Sequence, residues 1–232
     1  MLIVHQKLKI QNGVRTDLFG ENTNYFNAAY SIFVNESNVV YTAGVTSTNG
    51  NVRKPSYWIG TTKVNLSVID STKKSEALGI VVVDNIPYIC GYTTNNDGKK
   101  VACYWKNNVR YSLSIMNSLF DSEANSIYHE NGNIYIAGYN YNSDGTIVYP
   151  CYWKNEQRVN LPIGEDNIVG MPGLINSIFV LNGVVFISRL VVNQNNNEWK
   201  RCYWANFRKI ELGSYNSYSF NAYLMPIFVI KY

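Results

Sequence analysis

Glu76 and Glu123 are the residues best equipped for chemistry, each opening an otherwise apolar segment, Glu-Ala-Leu-Gly-Ile-Val in one case and Glu-Ala-Asn-Ser-Ile-Tyr in the other. Asp70, Asp121, Glu165 and Asp166 lie in the polar stretches that precede such segments. Carboxylates converging on one pocket are what hydrolysis of a glycosidic bond needs, one as general acid and one as base or nucleophile. The apolar segments carry no acid in their bodies, however, and acids in loops are ordinarily solvated. There is no G-x-S-x-G, H-E-x-x-H or glycine-rich phosphate loop, so nucleophilic, metal and nucleotide chemistry lack a starting point. The sequence reads as a chain that is not an enzyme and uses no cofactor.

The cysteines point the same way. Cys103, Cys151 and Cys202 recur in equivalent Cys-Tyr-Trp contexts of successive repeats, and equivalent positions on different repeats lie too far apart in space for the short Cα separation a disulfide demands. Cys90 and Cys103 belong to one hairpin; a turn centred on Asp97-Gly98 sets Cys90 opposite Trp105 and Cys103 opposite Tyr92. Buried free thiols acting as small hydrophobes are the expectation. With no C-x-x-C and only His5 and His129 as imidazoles, a structural zinc is not expected either.

Binding chemistry is better represented. The stretches from Tyr92 to Lys100, Tyr139 to Ile147 and Val191 to Lys200 are rich in Asn, Asp, Thr and Tyr. Amides and hydroxyls beside aromatic faces suit a neutral, polyhydroxylated ligand, whose hydroxyls need paired donors and acceptors and whose C–H faces need an apolar platform. Tyr92, Asn96, Asp97, Tyr139, Tyr141, Asp144 and Trp199 are the expected contacts, the aromatics stacking and the others hydrogen-bonding.

The elements that must position these loops emerge from an internal repeat. Cys103-Tyr104-Trp105-Lys106-Asn107 returns as Cys151-Tyr152-Trp153-Lys154-Asn155 and as Cys202-Tyr203-Trp204-Ala205-Asn206, with a relative at Ser56-Tyr57-Trp58. A short segment ending in Leu follows each, at Leu66, Leu113, Leu161 and Leu212, and a further copy ends at Leu18. The other half of the unit reads Ala124-Asn125-Ser126-Ile127-Tyr128, a turn at Asn131-Gly132, then Ile134 to Tyr139. Asn-Gly and Asp-Gly pairs supply the positive φ that tight hairpin turns require. Each unit therefore holds four short antiparallel strands, A to D, joined as a meander.

Four such strands recurring about every 50 residues predict an all-β, five-bladed β-propeller of four-stranded blades. The chain is expected to be one domain, residues 1–232, with blades at about 19–66, 67–113, 114–161 and 162–212. The last blade is split between 213–232, supplying strands A and B, and 1–18, supplying C and D, so that pairing of the ends closes the ring and removes exposed edges. In this architecture the B-to-C loops and D-to-A connections share one face, where shallow, quasi-repeated sites lie between neighbouring blades.

In blade count, period and size the chain resembles the five-bladed propeller lectins of the tachylectin-2 type, and its Tyr-Trp-Lys-Asn units resemble repeats in uncharacterised bacterial β-propeller proteins. The lectin resemblance implies binding of N-acetylated sugars, one site per blade. The repeated Trp58, Trp105, Trp153 and Trp204 read as core rather than as sugar platforms, because Tyr and Trp alternate on a strand whose two faces are both buried. Arg15, Lys63, Arg110, Arg158 and Lys209 recur on strand D, the expected outer edge, where a charge discourages edge-to-edge pairing.

The leading functional expectation is thus a carbohydrate-binding, lectin-like module without catalysis. The alternative is a protein-interaction scaffold, which an apolar patch around Ile168 to Leu174 would favour. A net charge of +4 with scattered Lys and Arg implies no nucleic acid, and no apolar run reaches the length of a membrane-spanning helix. Location stays open between the cell surface or exterior, if a signal has been removed, and the cytoplasm, which unpaired cysteines suit.

Overall fold

In the computed structural model the described residues are 8–11, 14–18, 26–47, 52–163, 175–193 and 198–216. They are all-β and fall into two compact units, Met1–Ser112 and Leu113–Tyr232. The first unit holds the hairpin β1 (Leu8–Gln11) and β2 (Val14–Asp17) and two four-stranded antiparallel sheets. One sheet is β3 (Ala28–Val34), β4 (Val40–Ser47), β5 (Arg53–Ile59) and β6 (Thr62–Asn65); the other is β7 (Glu76–Val83), β8 (Ile86–Thr94), β9 (Lys100–Lys106) and β10 (Val109–Ser112). The second unit repeats the plan in β11 (Ser122–Glu130), β12 (Asn133–Tyr141), β13 (Val148–Lys154) and β14 (Gln157–Asn160), and again in β15 (Ile175–Leu181), β16 (Val184–Asn193), β17 (Glu198–Ala205) and β18 (Arg208–Asn216). Four strands paired in sequence order, four times over, is the blade pattern of a β-propeller. The hairpin β1–β2 has the expected C and D strands of the split blade, whereas residues 217–232, its expected partners, lie outside the described residues.

The repeated tryptophans lie in the core. Trp58, Trp105, Trp153 and Trp204 are each at most 1% exposed. Trp105 Nε1 donates to the carbonyl of Ser67 at 2.8 Å, Trp153 to that of Ser114 at 2.7 Å, and Trp204 to that of Pro162 at 3.1 Å. Each acceptor follows the leucine that ends the preceding repeat, and Leu18, Leu66, Leu113 and Leu161 are buried. In these three the indole fills the core and satisfies its own N–H, as a buried Trp must. Leu212 departs from the rule and is 57% exposed. The ladder between β17 and β18 skips there, Arg201 pairing with Gly213 and Cys202 with Glu211, so Leu212 is the extra residue of a bulge.

Opposite each of the four repeated tryptophans stands the repeated strand-D cation: Trp58 pairs with Lys63, Trp105 with Arg110, Trp153 with Arg158 and Trp204 with Lys209. Lys63 is exposed, as expected of an edge charge, but Arg110 turns inward. Its Nε donates to the buried Thr93 hydroxyl at 2.9 Å and its Nη1 to Ser112 at 3.1 Å. Lys209 lies 3.3 Å from Glu211. The side chain of Arg15 lies outside the described residues. All four cysteines are buried and free.

The hairpin containing Cys90 and Cys103 differs by one residue from its expected register. Cys90 faces Tyr104, Ile89 faces Trp105, and Cys103 faces Gly91. Asn95 accepts from Gly98 N at 3.0 Å and pairs with Lys99 at 2.9 Å, so the loop is three residues long and centred on Asp97. Only Gly98 there takes a positive φ, 79°, whereas Asn131-Gly132 and Asn182-Gly183 take positive φ at both residues and make two-residue turns. Aspartate in place of asparagine before the glycine accompanies the longer loop.

Candidate functional site

Strand A of each four-stranded sheet begins at the end where the B-to-C loop turns, and a bulge recurs there in all four. The register shifts between Ala29 and Ser31, Ala77 and Gly79, Ala124 and Ser126, and Ile175 and Ser177. The bulge is pinned by close approach of strand A to a glycine of strand B. A Cβ on Gly44, Gly91 or Gly138 would stand 2.0, 2.0 or 1.9 Å from the carbonyl oxygen of Ala28, Glu76 or Glu123 respectively. In the fourth sheet the equivalent residue is Arg189, buried and opposite Ile175.

The residue pair just outside this pin distinguishes the sheets. It is Ala28 with Val45 in the first, but Glu76 with Tyr92 and Glu123 with Tyr139 in the next two. The second and third sheets therefore carry a carboxylate beside a phenol at the rim, at a place the backbone holds rigidly. Neither glutamate is a solvated loop acid, contrary to the sequence expectation.

In the first unit Glu76 is only 8% exposed. Arg53 Nη1, from the neighbouring sheet, lies 2.6 Å from Glu76 Oε1, and the guanidinium also sits 4.1 Å above the ring of Phe26. That hydrogen bond raises the Arg53 pKa further. Tyr30, the bulged residue of β3, reaches the same carboxylate with its hydroxyl; burial first, and then the Glu76 charge, push its pKa up to about 12. Tyr92 is 4% exposed, with Lys100 Nζ 4.5 Å from its ring centroid. Asn96 and Asp97 are exposed at the tip of the next loop, which Asn95 organises by accepting from Lys99 N at 2.8 Å.

In the second unit the Tyr139 hydroxyl donates to Glu123 Oε2 at 2.8 Å. Burial above all, then the nearby Glu123 and Asp121 charges, hold this phenol protonated far beyond the usual range. Tyr141 meets Tyr139 edge-on at 6.3 Å, and Phe120 lies 6.1 Å from Tyr141. Phe120 also packs against the turn at Gly145, where a Cβ would fall 2.1 Å from its ring. The loop is braced by Asp144, which accepts from Thr146 N at 2.9 Å and from Thr146 Oγ1 at 2.6 Å, and these bonds hold its carboxyl below the ordinary range. Asn142 donates to Thr146 Oγ1 at 3.1 Å and accepts from Ile147 N at 3.0 Å. Asn117 donates to the Ser143 carbonyl at 2.8 Å.

Of the expected contacts, the structure gathers Tyr139, Tyr141 and Asp144 on one rim of the second unit. Tyr92, Asn96 and Asp97 belong to the first. Tyr92 and Tyr139 are buried, at 4% and 5% exposure, so their rings are supports for the rim and not open stacking faces. Asp144 spends one oxygen on Thr146. Trp199 pairs through its backbone with Val192 and Tyr215, and its side chain lies outside the described residues, as does the stretch Ile168 to Leu174. Sequence reasoning missed Phe120, Tyr30 and Arg53. The Glu–Tyr pairing had a signal: each glutamate precedes its tyrosine by the same interval, Glu76 to Tyr92 and Glu123 to Tyr139.

No family model matches the chain, and no curated protein matches it. Among solved structures it is similar to a thermostable family-43 glycoside hydrolase, with a TM-score of 0.52 and 12% identity over 86% of this chain and 74% of that one. A mutant Trypanosoma rangeli sialidase displaying trans-sialidase activity matches with a TM-score of 0.51 and 14% identity, covering 88% of this chain but only 39% of the sialidase. The six-bladed propeller lectin of Aleuria aurantia matches at 0.47 and 11% identity over 82% of this chain and 64% of the lectin. At such identities the likeness is one of fold. It overturns the expectation that the chain is not an enzyme, because glycoside hydrolases share this fold and the exclusion rested on acids that the structure finds ordered at the rim.

Proposed function

We propose that the chain is a carbohydrate-recognition protein built as a five-bladed propeller, its ring closed by the hairpin β1–β2 and the C-terminal residues, with its ligand site on the rim of the B-to-C loops. The observation that carries this reading is the arrangement around Tyr141. A half-buried aromatic ring lies beside Phe120 and Tyr139 and adjoins a loop of Asn142, Asp144 and Thr146 whose polar atoms are held in place by one another. An apolar face beside preorganised donors and acceptors is what recognition of a sugar ring requires. On this reading the protein works where glycans are displayed, at the cell surface or beyond it.

The test is a glycan-array screen of the full chain, followed by calorimetric titration of any hit with the wild type and with Tyr141→Ala. Loss of about 1 to 3 kcal/mol of binding in the variant supports the assignment, by the usual worth of one aromatic contact in a site. Unchanged binding, or a blank array with capture of a protein partner instead, overturns it.

A second reading is favoured by one observation, that Glu123 and Asp121 both act on the Tyr139 phenol. Two carboxylates near one rim are the minimum for glycoside hydrolysis. Release of nitrophenol from a panel of aryl glycosides, abolished by Glu123→Gln, would establish it; no release from any of them would remove it.

A further inference from the structure

The opposite end of the sheets in the first unit carries a hollow of about 370 Å³ between the turn after β3 and the turn after β7, lined by Phe33, Val34, Glu36, Ser37, Val82 and Asp84 together with the amides of Asn35 and Asn85. Its volume falls within the roughly 300 to 1,000 Å³ of small-molecule sites.

The second unit explains why the hollow exists. There Glu130, at the end of β11, reaches across to the next turn and accepts from Asn182 N at 2.8 Å and from Gly183 N at 3.0 Å, filling the corresponding position. The two units are otherwise built alike here: Ser31 Oγ accepts from Ile80 N at 3.3 Å in the first, and Ser126 Oγ accepts from Ile178 N at 3.1 Å in the second. In the first unit the residue equivalent to Glu130 is Asn35. Its Oδ1 accepts from Val39 N at 2.8 Å and its Nδ2 donates to Asn85 Oδ1 at 3.3 Å. The longer turn through Asn38 then draws Glu36 and Ser37 to the rim instead of across the gap.

The lining combines the apolar side chains of Phe33, Val34 and Val82 with neutral hydrogen-bonding groups in Asn35, Asn85 and Ser37 and two carboxylates, Glu36 and Asp84. It contains no Lys or Arg. Among the described residues neither carboxylate is in an ion pair. An anionic sugar would be repelled and an N-acetylated one would leave both charges uncompensated. We infer that this hollow binds a polyhydroxylated cation, namely an amino sugar with a free protonated amine, its ring face on Phe33 and Val82, its hydroxyls on the amides and its ammonium between Glu36 and Asp84. The inference rests on the carbohydrate reading for its ligand class but not on the rim site.

The test is calorimetric titration of the full chain with short glucosamine oligomers and with their N-acetylated counterparts. The expected result is binding of the free amines, weakened by added salt, at least about tenfold stronger than that of the acetylated forms. It falls about tenfold in Glu36→Gln combined with Asp84→Asn, and is unchanged in Glu211→Gln, which removes a carboxylate of the other unit. Asparagine tolerates the positive φ of 49° at position 84, so the turn survives the substitution. Equal binding of acetylated oligomers, retention of binding in the double variant, or binding that needs a divalent cation and vanishes with a chelator would each overturn the proposal. Loss of binding in Tyr141→Ala would assign the ligand to the rim and overturn it too. Failure of the rim reading shows separately, as glycan binding indifferent to Tyr141 while the double variant still loses the amine.

Discussion

Glu123 and Tyr139 face each other across the first two strands of their sheet, and the phenol donates to the carboxylate at 2.8 Å. The same pair, Glu76 and Tyr92, occupies the same place in the preceding repeat. There Arg53 and Tyr30 reach the carboxylate as well. In both repeats a carboxylate stands opposite a tyrosine at the rim, and in the earlier one Arg53 lies 2.6 Å from it.

Replacing Tyr139 by Phe removes a hydrogen bond to a charged acceptor while keeping the ring. Such bonds are worth about 1.5 to 3 kcal/mol, and a loss of that size in urea denaturation is expected. Rim binding should weaken in the same variant, since Tyr141 packs on Tyr139. Wild-type stability in Tyr139→Phe would mean that the hydrogen bond contributes nothing.

The Arg53–Glu76 pair joins two sheets of one unit and is largely removed from water on the glutamate side. Truncating either partner leaves the other charge without its mate, so Arg53→Met and Glu76→Gln should each cost about 2 to 4 kcal/mol. The double variant should cost less than the sum, because each single change already forfeits the interaction. Additive losses in denaturant melts would show the pair to be uncoupled.

Gly138→Ala is a sharper structural test. The new methyl would stand 1.9 Å from the Glu123 carbonyl and 2.9 Å from the Trp153 ring, and neither backbone nor buried indole can yield. Destabilisation of about 3 kcal/mol or more is expected. Gly132→Ala, where nothing lies within 4 Å, meets no such clash and suffers only the strain of its φ of +74°, which should cost about 1 kcal/mol. Equal losses at the two positions would disprove the pin.

The sheets were legible because the repeat is written in large residues. A tryptophan and a leucine at fixed places in each unit can satisfy burial in only one register, and those at Trp105, Trp153, Leu113 and Leu161 do so. Leu212 escaped because a bulge displaces a residue without leaving a mark in the composition. The hairpin at Asp97 was misplaced by one residue because Asp-Gly and Asn-Gly look alike in sequence yet differ in how many residues take positive φ. The rim was half legible. Its loops could be named, but burial of Tyr92 and Tyr139 follows from the pinned bulge, and the Arg53–Glu76 pair depends on two sheets meeting, which no spacing within one repeat encodes.

The buried thiols and phenols set the response to alkali. Burial pushes the Cys103 and Cys151 thiols up to about 12, and Cys90 higher still. Only the thiolate alkylates, so the native chain should react with iodoacetamide far more slowly than the urea-unfolded chain, at neutral pH and at pH 9 alike. For Tyr30 and Tyr139, as for these thiols, the folded pKa lies above the unfolded one, so the folded state holds its protons longer. The stabilisation is therefore complete below the unfolded values, near 8.5 for Cys and about 10 for Tyr, and is lost as pH rises toward the folded ones. Unfolding free energy measured in urea should fall steadily between about pH 9 and pH 11, and Tyr139→Phe should flatten the upper part of that slope. A flat profile over this window, or rapid alkylation of the native protein, would mean that these groups are open to solvent.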